Sequence, residues 1–506
     1  MALSRILGFF RNSVISAEFG QNRATDILNA AYYIPDTIYL ILVGGGMSTA
    51  FIPILSRYLA EGREDEGWRV ISIAYNVVLI LMLVVLAAGI VFAPELVGLI
   101  VPGFGPAALA DTVLLTRIMF LSILFHSLNG VLIGTEYAYQ SFLGTAIGPL
   151  VYNAAIIGVG VALVPALRHG PGPIDMRVMA FAIATAVGSF LNFLIQIWGV
   201  ARLRPRYVLT VDWRNEGMQR FIRLAIPVMI GLSFVQLNFF INQTFLASYL
   251  PRGSINALTL ASRVVLIPIM VAISVGIAVL PRLAQIAQAR DWREYRALFS
   301  GALGSVLFIS IPASLGLAVL AHPVIAVLFQ HGAFTAVDTG RTAVALVGYS
   351  FGVAAYASYE IVSRGFYAIE DTKTPLIAGA LNLALSVLLN WLGVHLFHLF
   401  GLALAYSVTG FTNIVFLTYL LRRRHRRALG LAKVVRTGAR TLVASLVMAG
   451  AVLLMERLTL PLGPLASLVV PCVVGIGVFG TLALFFRIPE ARRTLDLVRH
   501  RLGFSL

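Results

Sequence analysis

Long apolar stretches, separated by short polar turns, run almost without interruption along the chain. One membrane-spanning helix needs about 20 mostly apolar residues, and many stretches reach that length. The pattern predicts an all-α polytopic membrane protein. Two apolar segments, 94–100 and 322–329, are too short to cross and are predicted as interfacial helices. We predict fourteen spans, near 1–20, 27–59, 67–93, 108–136, 139–165, 176–202, 217–249, 253–288, 292–321, 336–365, 372–397, 398–421, 430–457 and 462–486.

The composition supports this interpretation and excludes an ordinary soluble enzyme. The chain is 59% hydrophobic and 12% charged, whereas soluble domains carry about 25% charged residues. These charges are too few to cover a water-exposed surface of this size. A large part of the protein surface is therefore expected to face lipid. The sequence contains no HExxH or CxxC motif and no long extramembrane segment for a catalytic domain. Cys472 is the only cysteine, which excludes a disulfide framework.

The net charge of +16 comes mostly from arginines, many of which lie in a few of the connections between predicted spans. They concentrate in 202–223, 282–296 and 422–440, each of which follows an even-numbered span, while the opposite connections are sparse. Basic loops stay on the cytoplasmic side of a membrane. We therefore expect both termini in the cytoplasm and interpret the positive charge as topological, with no nucleic-acid partner.

The chain also repeats itself. The motif beginning Ile52-Pro53 recurs 228 residues later at Leu280-Pro281, and Pro94 recurs at Pro323. A nearly constant offset over six spans predicts two six-helix halves that enter from the same side, related by an axis along the membrane normal. The predicted domains are an N-terminal lobe at 1–202, a C-terminal lobe at 203–421, and a helix pair with a basic tail at 422–506.

An arginine inside a membrane span costs about 2.5–3.5 kcal/mol, and three of the arginines inside predicted spans are singled out. Arg5, Arg11 and Arg263 are candidate substrate-binding residues, because several guanidinium forks suit an anionic group such as a diphosphate. Each has a structural alternative. Arg5 would snorkel to the interface if Met1 is the true start, Arg11 would pair with Asp36, and Arg263 would serve packing alone.

Two acids and a glycine run are further candidates. Asp26 is interpreted as either a substrate-binding residue or a helix cap. Asp36 follows a proline and is expected to line the cavity or to bind backbone groups at the kink. Three consecutive glycines within the second span predict a hinge or cavity lining, with close helix packing as the alternative; they are Gly44, Gly45 and Gly46. No metal ligand set is predicted.

Several motifs resemble the MurJ/MviN lipid II flippase family, within the multidrug/oligosaccharidyl-lipid/polysaccharide exporter superfamily. They are Ser4-Arg5-Ile6-Leu7-Gly8-Phe9-Phe10-Arg11, Ser48-Thr49-Ala50-Phe51-Ile52-Pro53 and the stretch Gly365-Phe366-Tyr367 to Asp371-Thr372-Lys373-Thr374-Pro375. The resemblance implies two rocking lobes that move undecaprenyl-diphosphate-linked disaccharide-pentapeptide from the inner to the outer leaflet of the bacterial inner membrane. It implies that Arg5, Arg11 and Arg263 line the cavity, and that Asp26 matches a position of functional interest.

Departures from the family pattern bear on coupling. Some members bind sodium through carboxylates where this chain has Asn242 and Asn390, with Ser386 nearby and Tyr406 replacing a threonine. The matching positions therefore do not support a sodium site, and no cofactor is expected. A monomer is expected.

Three alternatives to lipid II transport stay open. They are a flippase for another polyprenyl-diphosphate oligosaccharide, a cation-coupled multidrug exporter, which would favour an acidic cavity, and a membrane-embedded glycan enzyme.

Overall fold

The computed structural model describes residues 2–41, 51–167, 175–424 and 430–492. In this part of the chain the secondary structure is helical, without strands, and nine helices are long and apolar enough to cross a membrane. The all-α polytopic fold is confirmed, while the count of fourteen spans stays a prediction. The helices are α1 Ala2–Phe19, α2 Arg23–Tyr39, α3 Ile52–Ala60, α4 Glu64–Val91, α5 Ala93–Ile100, α6 Pro106–Ala138, α7 Leu143–Leu163, α8 Met179–Ala201, α9 Glu216–Phe239, α10 Ser254–Gln288, α11 Trp292–Val319, α12 Ala321–Phe329, α13 Ala336–Ser350, α14 Val353–Ala368, α15 Lys373–Arg424, α16 Leu431–Thr459 and α17 Pro464–Phe485.

The chain divides into two compact units. The first comprises Met1–Asn256 with His331–Thr335, and the second comprises Ala257–Gln330 with Ala336–Leu506. In the first unit α6 is central and packs against α2, α4 and α8. Gly89 of α4 lies directly on the fully buried ring of Phe120, so any side chain at this glycine would overlap the ring. Small residues let membrane helices approach closely in this way.

In the second unit α11 packs against α13, α14 and α16. The ring of Phe299 lies on Gly365 of α14, where an added Cβ would come within 2.5 Å of a ring atom. The hydroxyl of Tyr295 donates a hydrogen bond of 2.8 Å to the carbonyl of Gly365. This glycine belongs to one of the motifs singled out in the sequence, and its role in the fold is close helix packing.

One pair of corresponding helices in the two predicted halves has the same length. Helices α4 and α11 each have 28 residues and start 228 positions apart. Each leads through one residue of similar backbone geometry, Phe92 (φ −89°, ψ 15°) or Leu320 (φ −89°, ψ 19°), into a short helix. Those short helices, α5 and α12, are the two segments predicted to be too short to cross, and their existence as separate helices is confirmed.

The predicted tenth span is not one helix but two, α13 and α14. Near the end of α13 the Ser407 hydroxyl donates to the carbonyl of Gly348 at 2.6 Å. At the start of α14 the N–H of Ala354 donates to Ser314 Oγ at 3.2 Å. A helix end leaves backbone groups without intrahelical partners, and here side chains of α15 and α11 supply them. The single-helix prediction was wrong because the sequence does not show which side chains come into reach.

Two other predicted spans also differ in detail. The second span begins at Arg23, four residues early, because Asn22 caps α2 by accepting from the backbone N–H groups of the first turn. Its glycine run, residues 44–46, lies outside the described residues. In the seventh span the α-helix ends at Phe239, and a π-helical turn and a 3₁₀ turn continue to Tyr249.

The predicted boundary between the eleventh and twelfth spans is found at His398. Helix α15 breaks there, with φ 52° and ψ −127°, into arms 373–397 and 399–424. The arms touch at Gly393 and Gly401, each so close to the other's carbonyl that an added Cβ would overlap it. The α15 hairpin therefore requires glycine at both positions.

We predict that Gly401→Ala strongly destabilises the protein, because the methyl group would overlap the backbone of the facing arm and cannot be accommodated by a side-chain shift. Such overpacking costs about 1–3 kcal/mol or more. Thermal unfolding in detergent should show a clearly lowered midpoint. The control is Gly379→Ala in the same helix, where no atom lies within 4 Å of the added Cβ. Equal midpoints for the two variants would contradict the prediction.

Candidate functional site

Helix α1 carries the first two candidate arginines. The Arg5 side chain is exposed, whereas Arg11 is half-buried and its Nη2 lies 3.5 Å from Asn12 Oδ1. Helix α1 packs beside α7, where Asn153 Nδ2 contacts the carbonyl of Ser4 at 3.5 Å. Arg11 therefore sits at a partly enclosed position, and Arg5 at an open one.

A cluster of tyrosines and a histidine lies next to Arg11 in the first unit. The hydroxyls of Tyr32 and Tyr152 are 2.6 Å apart, and the Tyr152 hydroxyl is within electrostatic range of both Arg11 and Asp36. The ring of His126 lies 5.1 Å from that of Tyr152. Arg11 and Asp36 are thus brought to one polar region, although the structure records no ion pair between them among the described residues.

His126 anchors this cluster from α6. Its Nε2 hydrogen-bonds to Ser189 Oγ at 2.9 Å, and its ring centroid also lies 5.1 Å from that of Tyr39, with the two rings tilted by 43°. His126 was not singled out in the sequence. A signal was available, since His126 lies deep within a predicted span, where an ionisable group is costly and usually has a function.

The carboxylate of Asp26 caps the start of α10. It is 1% exposed and accepts hydrogen bonds from the N–H groups of Gly253 at 2.7 Å and Asn256 at 3.0 Å. Arg23 lies 3.7 Å from it. Carboxylates are favourable at helix N-termini, because unpaired N–H groups and the helix dipole meet there. Of the two interpretations of Asp26, this geometry favours the cap, although the capped helix is α10 rather than its own; substrate binding by Asp26 stays a prediction.

Arg263 lies in the second unit and is half-buried on α10, directly after Ser262 in the sequence and just over one turn before the internal Pro268. Arg364 of α14, which is also half-buried, forms an ion pair with Glu360 one turn away. Arg364 was not singled out in the sequence. Because Glu360 is paired with Arg364, its charge is already balanced within α14.

The remaining candidates divide between described and undescribed residues. Asp36 is half-buried, one residue after Pro35 inside α2. The predicted hinge at residues 44–46 falls outside the described residues. Across the part of the chain that the structure describes, no group of three or more His, Cys, Asp or Glu side chains could hold a metal ion.

We predict that Asp26→Asn lowers the stability of the protein, because an amide side chain presents only one acceptor oxygen and loses the charge that faces two N–H groups. Hydrogen bonds to charged groups contribute about 1.5–3 kcal/mol. Thermal unfolding in detergent measures the change. Glu18→Gln is the control, since Glu18 is more exposed and its contact to Arg177 is 4.0 Å long. An unfolding midpoint equal to that of the unmodified protein would show that the cap contributes nothing.

Comparisons with known proteins agree on one family. The family model described as lipid II flippase MurJ matches residues 15–473. The chain is 30% identical over 429 residues to the lipid II flippase MurJ of Burkholderia cenocepacia, covering 83% of this chain and 82% of that one. It is 28% identical over 481 residues to the probable lipid II flippase MurJ of Vibrio cholerae, covering 89% and 85%.

Solved structures give the same picture. A lipid II flippase MurJ in an inward closed conformation matches with a TM-score of 0.79 and 25% identity, over 98% of both chains. An inward-facing multidrug resistance MATE transporter of the MOP superfamily matches with a TM-score of 0.67 and 16% identity, over 83% of this chain and 94% of that one. The second match shows a shared fold only.

Proposed function

Because this chain belongs to the lipid II flippase MurJ family, we propose that it moves lipid II, the undecaprenyl-diphosphate-linked peptidoglycan precursor, from the inner to the outer leaflet by alternating access. The observation that carries the proposal is the family match over residues 15–473. The chain is a multi-pass membrane transporter. Its role in peptidoglycan synthesis, and through it in cell-wall biogenesis and cell shape, follows from that substrate.

Binding of the diphosphate is assigned to guanidinium groups. Arg11 is half-buried beside the tyrosine–histidine cluster, and Arg263 is half-buried on α10. A guanidinium fork can donate two parallel hydrogen bonds to phosphate oxygens and stays charged at every physiological pH. We propose that Arg5, at its exposed position, makes the first contact, and that Arg11 and Arg263 hold the headgroup during the exchange. The polyprenyl tail stays in lipid throughout.

The lobes 1–202 and 203–421 are proposed as the moving bodies, with 422–506 serving the lipid tail. The support is the repeat, whose α4 and α11 have equal length. Because one chain supplies both lobes, we propose a monomer in the bacterial inner membrane. The arginine-rich connections favour both termini in the cytoplasm.

Transport is proposed to need no resident cofactor. Asn242 and Asn390 are both fully buried and carry no charge, which disfavours sodium binding at those positions. A membrane potential is the remaining candidate for the driving force, since moving one charge through 100 mV is worth about 2.3 kcal/mol. Another lipid-linked oligosaccharide is the alternative substrate, because it would present the same diphosphate.

We predict that Arg263→Ala and Arg11→Ala each lower lipid II translocation about tenfold or more, since each removes a charge-assisted hydrogen bond worth about 1.5–3 kcal/mol. The measurement is transfer of labelled lipid II across proteoliposome membranes, with and without an imposed potential. Arg290→Ala, in the exposed turn after α10, is the matched control. Full transport by both the Arg11 and the Arg263 variants, with normal folding, would refute the proposed binding site.

A further inference from the structure

The connection between α8 and α9, residues 202–215, has an unusual conformation for a loop between membrane helices. Arg204 adopts φ 55° and ends α8 in a left-handed turn, and Pro205 prevents the helix from continuing. Residues 204–212 then have no helical structure. We call this stretch with the following turn, residues 204–214, the linker segment.

Side chains of α4 hold the linker segment in place. Ser72 and Asn76, both buried, lie one turn apart. The N–H of Val208 donates to Ser72 Oγ at 3.1 Å, and Asn76 Nδ2 donates to the carbonyls of Val208 at 3.3 Å and Thr210 at 2.8 Å. The backbone groups of alternate residues therefore face α4, as in an extended strand.

The outer side of the linker segment is apolar and uncovered. Leu209 is 84% exposed and Trp213 57% exposed, with Val211 between them. Leu209 and Val211 share one face of the extended stretch, because successive side chains alternate, and Trp213 follows in the turn. Such a patch lies outside the membrane-spanning helices, so the lipid around those helices does not account for it.

The charges around the patch are positive and largely unopposed. Of the nearby acids, Asp65 pairs with Arg206 and Asp212 lies 3.7 Å from Arg69, while Glu216 begins α9. Among the described residues, the guanidinium groups of four exposed arginines have no carboxylate within 4 Å. They are Arg204, Arg214, Arg220 and Arg223.

We propose that the linker segment binds anionic phospholipid headgroups on the surface of the bilayer that holds the protein. It connects the end of α8 to the start of α9, so it is held at the level where membrane helices leave the hydrocarbon. Tryptophan and leucine insert at this level, and arginines attract anionic headgroups. Each basic residue near such a surface contributes about a fivefold preference for binding. The charge of the surroundings, together with this position, favours lipid over a protein partner.

The test measures the depth of residue 209. A nitroxide spin label is attached to the cysteine of the Leu209→Cys variant, made in a Cys472→Ser background. The labelled full-length protein is reconstituted in phosphatidylcholine vesicles with or without phosphatidylglycerol. Collisions with oxygen report lipid, and collisions with a water-soluble nickel chelate report water. With phosphatidylglycerol we expect oxygen collisions to dominate. Combining Arg204→Gln, Arg214→Gln and Arg220→Gln should reduce that preference by about fivefold per charge.

The matched control is a nitroxide at Gln288→Cys, an exposed position at the end of α10, which should stay water-exposed in both vesicle types. Three results would overturn the proposal. Residue 209 could stay accessible to nickel in both lipids, it could insert equally with and without phosphatidylglycerol, or it could be protected from both reagents. The last result would indicate a protein, such as a second copy of the chain, on this surface.

Discussion

Hydrocarbon offers no hydrogen bonds, so every backbone N–H and carbonyl within the membrane must find a partner inside the protein. This constraint explains both the helices and the manner in which they are interrupted. At the break between α13 and α14, the Ser407 hydroxyl donates to a backbone carbonyl and the Ser314 hydroxyl accepts from a backbone N–H. At the start of α10, Asp26 accepts from two N–H groups. Interruptions occur where neighbouring side chains can satisfy the backbone.

The same buried polar groups bear on function. A transporter needs helices that can be broken or re-aimed near its cavity, yet each break must stay satisfied within lipid. The Asp26 cap fixes the first turn of α10, the helix that carries Arg263. A residue such as Asp26 can therefore matter for the conformation of α10 without contacting any substrate.

Close packing by glycine is the second determinant of the fold. Without a hydrophobic force between helices in lipid, van der Waals contact and small residues decide how tightly helices pack. Gly401 against Gly393 and Gly365 against Phe299 show this contact between backbones and between a backbone and a ring. The linker segment is held differently, by hydrogen bonds that Ser72 accepts from its backbone and Asn76 donates to it.

Apolar runs, arginine bias and a repeat offset suffice to predict the all-α membrane fold, the two short helices α5 and α12 and the boundary at His398. These features are local, because hydrophobic length and charge act on each segment independently of its neighbours. The sequence also identifies Arg11 and Arg263, since a charge within an apolar run is visible in one dimension. Only the tertiary structure shows that Asp26 caps a helix 227 positions away, that Tyr152 lies within electrostatic range of Arg11, and that the tenth span is broken. Those facts depend on which side chain from another helix reaches a given backbone group or charge, and distance along the chain carries no information about that.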